Sequence, residues 1–134
     1  MTEHELSTRH MALLRQLMGA ERAVELAVLI GSRATGRATA DSDWDIAIRL
    51  RPGDSFMESL GKFEDMRRQC AAVLHVNESS IDLIDLRTAR LTMKAVVAEE
   101  GIPLCGDDTL TWCHFLLRTW RELEDYYWEK SHAA

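Results

Sequence analysis

The run GSRATGRATADSDWDIAI, residues 31–48, places a Gly-Ser pair, then ten residues, then Asp-x-Asp. On a strand, side chains two apart point the same way. Asp43 and Asp45 therefore share one face, while Trp44, Ile46 and Ile48 share the other and can pack on a helix. Two carboxylates gathered on one face are costly unless something neutralises them. Mg²⁺ does so readily, because it takes one or two carboxylates plus phosphate oxygens and water. Asp41, ahead of the pair, reads as a solvated turn residue.

Upstream, Val24–Ile30 is an unbroken apolar run ended by Gly31, which fits a strand buried on both faces. Gly31 and Ser32 then sit at its carboxyl end, where ligands bind in open sheets. A glycine admits a phosphate close to the backbone, and the serine hydroxyl and nearby N–H groups can donate to it. Arg33 and Arg37 lie in the connecting segment and can grip phosphates as guanidinium forks. Two other motifs fail here. Gly31 to Gly36 has P-loop spacing, but Arg37 and Ala38 stand where Lys and Ser or Thr belong. Asp41, Asp43 and Asp45 start like a calcium loop, but Ile46 and Pro52 replace its glycine and its last glutamate.

Around this run, residues 3–21 have a helical period, and Asp43–Leu50 alternates until Pro52-Gly53. A second helix is expected from Ser55 to about Val76 and a β-run over Ser80–Leu86. Thr88 is the expected N-cap of a helix reaching Glu100, with Gly101 at its stop. Ile102–Cys105 reads as an edge strand, because Pro103 cannot donate to a ladder. From Thr109 the chain reads as one long helix, with Trp112, Leu116, Trp120, Leu123 and Tyr127 along one face. That stripe is expected to pack on its own sheet, with a partner-binding use left open. His75 and His114 fall within helices and have no expected catalytic part. The pattern predicts an α+β (α/β mixed) fold, a small mixed sheet flanked by helices. One domain over residues 1–134 is expected, with a core of about 24–108 and a C-terminal helix of about 109–130.

The chain has 134 residues, 46% of them apolar and 28% charged, as in ordinary globular proteins. A net charge of −6 argues against sequence-independent nucleic-acid binding. No apolar stretch approaches the roughly 20 residues of a membrane span. The N-terminal MTEHELSTRH is polar and unlike a signal peptide, so a soluble, cytoplasmic protein is expected. Cys70, Cys105 and Cys113 form no C-x-x-C pair and read as reduced thiols, and the histidines show no metal-site spacing.

With its strand contexts, the GS-x10-D-x-D run resembles the signature of the nucleotidyltransferase superfamily related to DNA polymerase β. The short length is similar to the minimal nucleotidyltransferase (MNT) antitoxins paired with HEPN toxins. IDLIDLRTA at 81–89 and AEEGIPLCGDD at 98–108 look like later blocks of that group, so the resemblance spans about 24–108. It implies a polymerase β-like fold in which Asp43 and Asp45 bind two Mg²⁺ ions and ATP is the substrate. A third carboxylate completes such a site. Asp82 and Asp85 compete for that role and face opposite sides of their strand; the resemblance favours Asp82. It further implies AMP transfer to a tyrosine of a HEPN-type RNase toxin, within a hetero-oligomer. Two other functions stay open: masking of the toxin by binding alone, and nucleotidyl transfer to a small molecule such as an aminoglycoside. In the latter case a homodimer would build the acceptor pocket.

Overall fold

Antiparallel pairing of the two central strands organises the chain, whose computed structural model describes residues 2–133. The elements in order are α1 (Glu3–Ala20), β1 (Val24–Ile30), α2 (Ser32–Thr35), β2 (Trp44–Leu50) and α3 (Phe56–Leu74). There follow β3 (Ile81–Asp85), α4 (Leu91–Glu100), β4 (Ile102–Cys105) and α5 (Leu110–Ser131). The sheet order is β3-β2-β1-β4. β2 returns antiparallel to β1, α3 carries the chain across to β3 parallel to β2, and β4 closes the other edge. The fold is the expected α+β mixed sheet. Pro103 does lie on an edge strand, opposite Val28.

Both faces of the sheet are covered. Ala27, Leu29, Trp44, Ile46 and Ile48 pack with Leu14 and Met18 of α1 and Met66, Cys70 and Leu74 of α3. Leu26, Val28, Ile30 and Ala47 pack on the other side with Val97 of α4 and Phe115 of α5. That is why β1 reads as a continuous apolar run: its alternate residues enter two different cores. Capping boxes start the two helices of the first layer. Thr2 and Glu5 exchange bonds at α1, and Ser55 and Glu58 do so at α3. Among the described residues no helix is long and apolar enough to cross a membrane.

Three local expectations need correction. α4 begins at Leu91 with Arg90 as its N-cap, not at Thr88. The Asp85 carboxylate accepts from Arg87 N–H (2.9 Å) and the Asp85 carbonyl from Thr88 N–H (3.3 Å). This turn uses the residues that would have capped the helix. His75 is not inside α3 but ends it, in the left-handed conformation at φ 55°. Gly101 stops α4 as expected, and does so without a left-handed turn, at φ −69°. It must be glycine because a Cβ would run into Val28 Cγ1 and the Val97 carbonyl. Finally, the α5 stripe is split. Trp112, Leu116 and Leu123 are partly buried, Trp120 and Tyr127 are exposed, and Phe115 and Thr119 are the residues fully enclosed.

Gly101→Ala should therefore lower stability by about 1–3 kcal/mol through overpacking between α4 and β1. Thermal denaturation beside Gly61→Ala, a helical position with open space, checks this: only the Gly101 variant should melt markedly earlier.

Candidate active site at the β1–β2 end

The hairpin register pairs Ile30 with Asp45, so the residue after β1 falls beside the first carboxylate of β2. That residue is Gly31, at φ 75°. A Cβ there would run into Oδ2 of Asp45. Both the backbone angle and the close approach demand glycine. Its carbonyl accepts from the N–H groups of Ala34 and Thr35 at 3.0 and 3.1 Å, which winds the short helix α2 directly after it. Ser32 is thereby held half-buried at the first position of α2, next to the acid.

Parallel pairing of β2 and β3 sets Asp82 directly across from Asp45. Partners in register point to the same face, so the two carboxylates meet. Asp85 pairs with Ile48 instead, a residue of the α1–α3 core, and its carboxylate is taken by the turn described above. Asp43 is exposed one residue before β2. Burial pushes the Asp45 carboxyl above its usual range, and the charges of Asp82 and Asp43 push it further the same way. Among the described residues no basic side chain pairs with any of the three. Negative charge thus accumulates at one strand end without a protein counter-charge.

This donor set fits a hard divalent cation. Oxygen ligands only, excess negative charge and an adjoining glycine turn suit Mg²⁺ shared with a phosphate chain. Mg²⁺ keeps several waters, so the fit does not require three acids already at ligand spacing, and among the described residues no three are.

The two arginines are not brought to the acids. The Arg33 guanidinium donates to the Ser42 carbonyl at 2.8 Å and lies 4.4 Å over the Trp44 ring. Trp44 is buried on the α1–α3 side, edge-on to His10. Arg33 therefore clamps the 37–43 loop from the face opposite the acids, rather than reaching over their side of the sheet. Burial lowers the His10 pKa, and the nearby Arg33 charge lowers it further. Arg37 is exposed on that loop. Sequence reasoning also missed a cleft of about 500 Å³ on the acids' face, lined in part by Arg49, Arg87, Lys94 and Arg118. Those cations come from β2, the turn after β3, α4 and α5, so no local spacing announces them. Arg49 stands four residues along β2 from Asp45, about 13 Å away at strand rise.

The model of the polymerase beta nucleotidyltransferase family matches residues 14–110, most of the chain and the whole of the site. The chain belongs to that family. Among curated proteins none matches the sequence. Solved structures match along nearly the whole chain. One chain of a toxin–antitoxin complex crystallised with AMP-PNP superposes with a TM-score of 0.66 at 22% identity, covering 93% of this chain and 92% of that one. A chain of the toxin–antitoxin pair MntA–HepT gives 0.59 at 21% identity, covering 96% and 93%. A third, from a complex of a tri-AMPylated Shewanella oneidensis HEPN toxin with an MNT antitoxin, gives 0.58 at 21%, covering 97% and 93%. At such identities the likeness establishes a shared fold, and this nucleotidyltransferase has it over at least 93% of its chain.

The pKa shift of Asp45 has a testable sign. Its folded-state pKa lies above the unfolded value, so stability falls as pH rises through the unfolded and then the folded pKa. Asp45→Asn should therefore melt higher than wild type at pH 7, and the difference should shrink toward pH 3.5. Mg²⁺ should raise the wild-type melting temperature at pH 7 and leave the Asp45→Asn variant unmoved. A differential scanning series with and without Mg²⁺ reads both. For the third acid, Asp82→Asn should abolish nucleotidyl transfer while Asp85→Asn is milder; the reverse ranking contradicts the assignment.

Proposed function

We propose that this nucleotidyltransferase is an Mg²⁺-dependent antitoxin that transfers AMP from ATP to a tyrosine of a HEPN-type RNase toxin. The observation that carries it is the pairing of Asp45 with Asp82 across β2 and β3, with the Asp43 charge nearby and Gly31 packed against Asp45. Asp43 and Asp45 would hold the metal, with Asp82 completing the set. When bound, Mg²⁺ neutralises the phosphates and the developing charge on the leaving pyrophosphate. Gly31 leaves room for the triphosphate beside Asp45, and Ser32 offers its hydroxyl to a phosphate oxygen. Asp82, exposed at the strand edge, is open to an acceptor and can take the proton of the attacking hydroxyl. The tyrosine oxygen bonds to the α-phosphorus as the bond to pyrophosphate breaks, leaving AMP on the toxin. The added phosphate charge and bulk then silence the RNase.

The acceptor is inferred from one neighbour, an MNT antitoxin in complex with a tri-AMPylated HEPN toxin, beside toxin–antitoxin complexes of the same fold. A protein acceptor brings its own surface, which suits a chain with Asp82 standing open at a sheet edge. The setting for such a pair is the cytoplasm, where ATP, Mg²⁺ and an RNase target coexist.

Transfer of label from α-labelled ATP to a cognate HEPN protein tests this. The expected result is Mg²⁺-dependent labelling that falls at least about a hundredfold in Asp43→Asn and Asp45→Asn, roughly 3 kcal/mol of transition-state stabilisation. An unlabelled partner that both variants still bind and silence would instead establish masking by binding alone.

A further inference from the structure

The basic cleft between β2, α4 and α5 is built from side chains on the inner faces of their elements. Arg49 continues the series Asp45, Ala47 along one face of β2, and Ala47 is buried. Lys94 precedes the buried Val97 by about one turn of α4. On α5, Arg118 lies one turn beyond Phe115 and adjoins Thr119, the two enclosed residues of that helix. Positions facing a core favour apolar side chains, and gathered like charges repel. The fold nevertheless holds these cations in place. Arg87 donates to the Leu50 carbonyl at 3.2 Å. Arg49 lies 3.6 Å from Glu25, whose carboxylate also accepts from the Thr111 hydroxyl at 2.6 Å, and the Arg49 Nε is buried without a hydrogen-bond partner among the described residues. Lys94 reaches Glu122 at 3.4 Å. Among the described residues Arg87 and Arg118 have no carboxylate partner. Glu25 is the one acid in the lining. Even with Glu122 counted, the four cations leave two positive charges in excess, in a chain whose net charge is −6.

This cleft is not an arm of the acidic site. Its strand residues, Glu25 and Arg49, lie near the start of β1 and the end of β2, whereas Gly31 and Asp45 lie at the opposite ends. Ala47 stands between Asp45 and Arg49 on that face and is buried in one cluster with Val97 and Phe115. We propose that the cleft is a second anion site, which takes the phosphate chain of a di- or triphosphate directly, without a metal. Its three guanidiniums match phosphate oxygens as forks, and Lys94 adds a point charge. A volume of about 500 Å³ suits a small molecule. The cations converge on it from four sides instead of tracking along a face, as an extended acidic peptide would require. The two sites then respond to Mg²⁺ with opposite sign. At the acids, a metal must accompany the phosphates. In the cleft, a metal on the phosphates cancels the charge that the cations read.

Isothermal titration of the full chain carrying Asp45→Asn with inorganic tripolyphosphate, in EDTA at pH 7, tests the proposal. With that acid removed and Mg²⁺ absent, the outcome is independent of AMP transfer. One tripolyphosphate should bind per chain, and added Mg²⁺ should weaken the binding. Arg87→Gln and Arg118→Gln, both at exposed positions, should each weaken it about tenfold with unchanged melting. Arg68→Gln, on the exposed face of α3, should leave it unchanged. ATP that binds as tightly as tripolyphosphate identifies the phosphate chain as all that the cleft reads; ATP that binds several-fold tighter adds the nucleoside to its ligand. Absence of binding in EDTA would overturn the proposal. So would binding that Mg²⁺ strengthens, or that survives the Arg87 and Arg118 changes together, or that Arg68→Gln weakens equally. A glutamate-rich peptide that binds more tightly than tripolyphosphate would assign the cleft to an acidic protein segment instead.

Discussion

One register, Ile30 opposite Asp45, governs the site. It brings the carboxyl end of β1 against the first acid of β2, and it leaves space for a backbone without a side chain. Gly31 meets both demands, positive φ and no Cβ. Slipping the hairpin by one residue would send Asp45 into the α1–α3 core and Trp44 to the acids' face. The buried series Trp44, Ile46 and Ile48 resists such a slip, so the packing of one face positions the chemistry of the other.

The same arrangement works against stability at the point where it serves function. Asp45 is raised by burial and by two neighbouring acids, and no basic side chain among the described residues relieves them. A protein tuned for stability alone would place an arginine there. Arg33 is close in sequence, yet it is turned to the other face, where it ties Ser42 to Trp44 and holds the loop that delivers Asp43. The site is left to be neutralised from solution, which is what a cation-dependent nucleotide site requires.

Much of this was legible in the chain itself. Strand periodicity put Asp45 on the side opposite Trp44, Ile46 and Ile48, the apolar run identified β1 as central, and Pro103 marked an edge. The choice between Asp82 and Asp85 lay beyond period-two reasoning, which says only that they face apart. It took the pairing partners, Asp45 for one and Ile48 for the other, to separate them. The resting place of Arg33 was not legible, because a guanidinium in a polar loop looks the same in sequence whether it is free for a phosphate or sits on a buried indole ring. Thr88 was misread because Asp85 takes the local backbone donors before the helix can begin. The split of the α5 stripe was hidden for a different reason: helical period reveals a face, but not how far along the helix the core extends.

The most direct test is a crystal grown with Mn²⁺ and a non-hydrolysable ATP analogue, examined by anomalous scattering from the metal. The account predicts metal between Asp43 and Asp45, Asp82 beside it, and the phosphate chain over Gly31-Ser32. Metal or phosphates bound anywhere else, with these three carboxylates left in water, would contradict it.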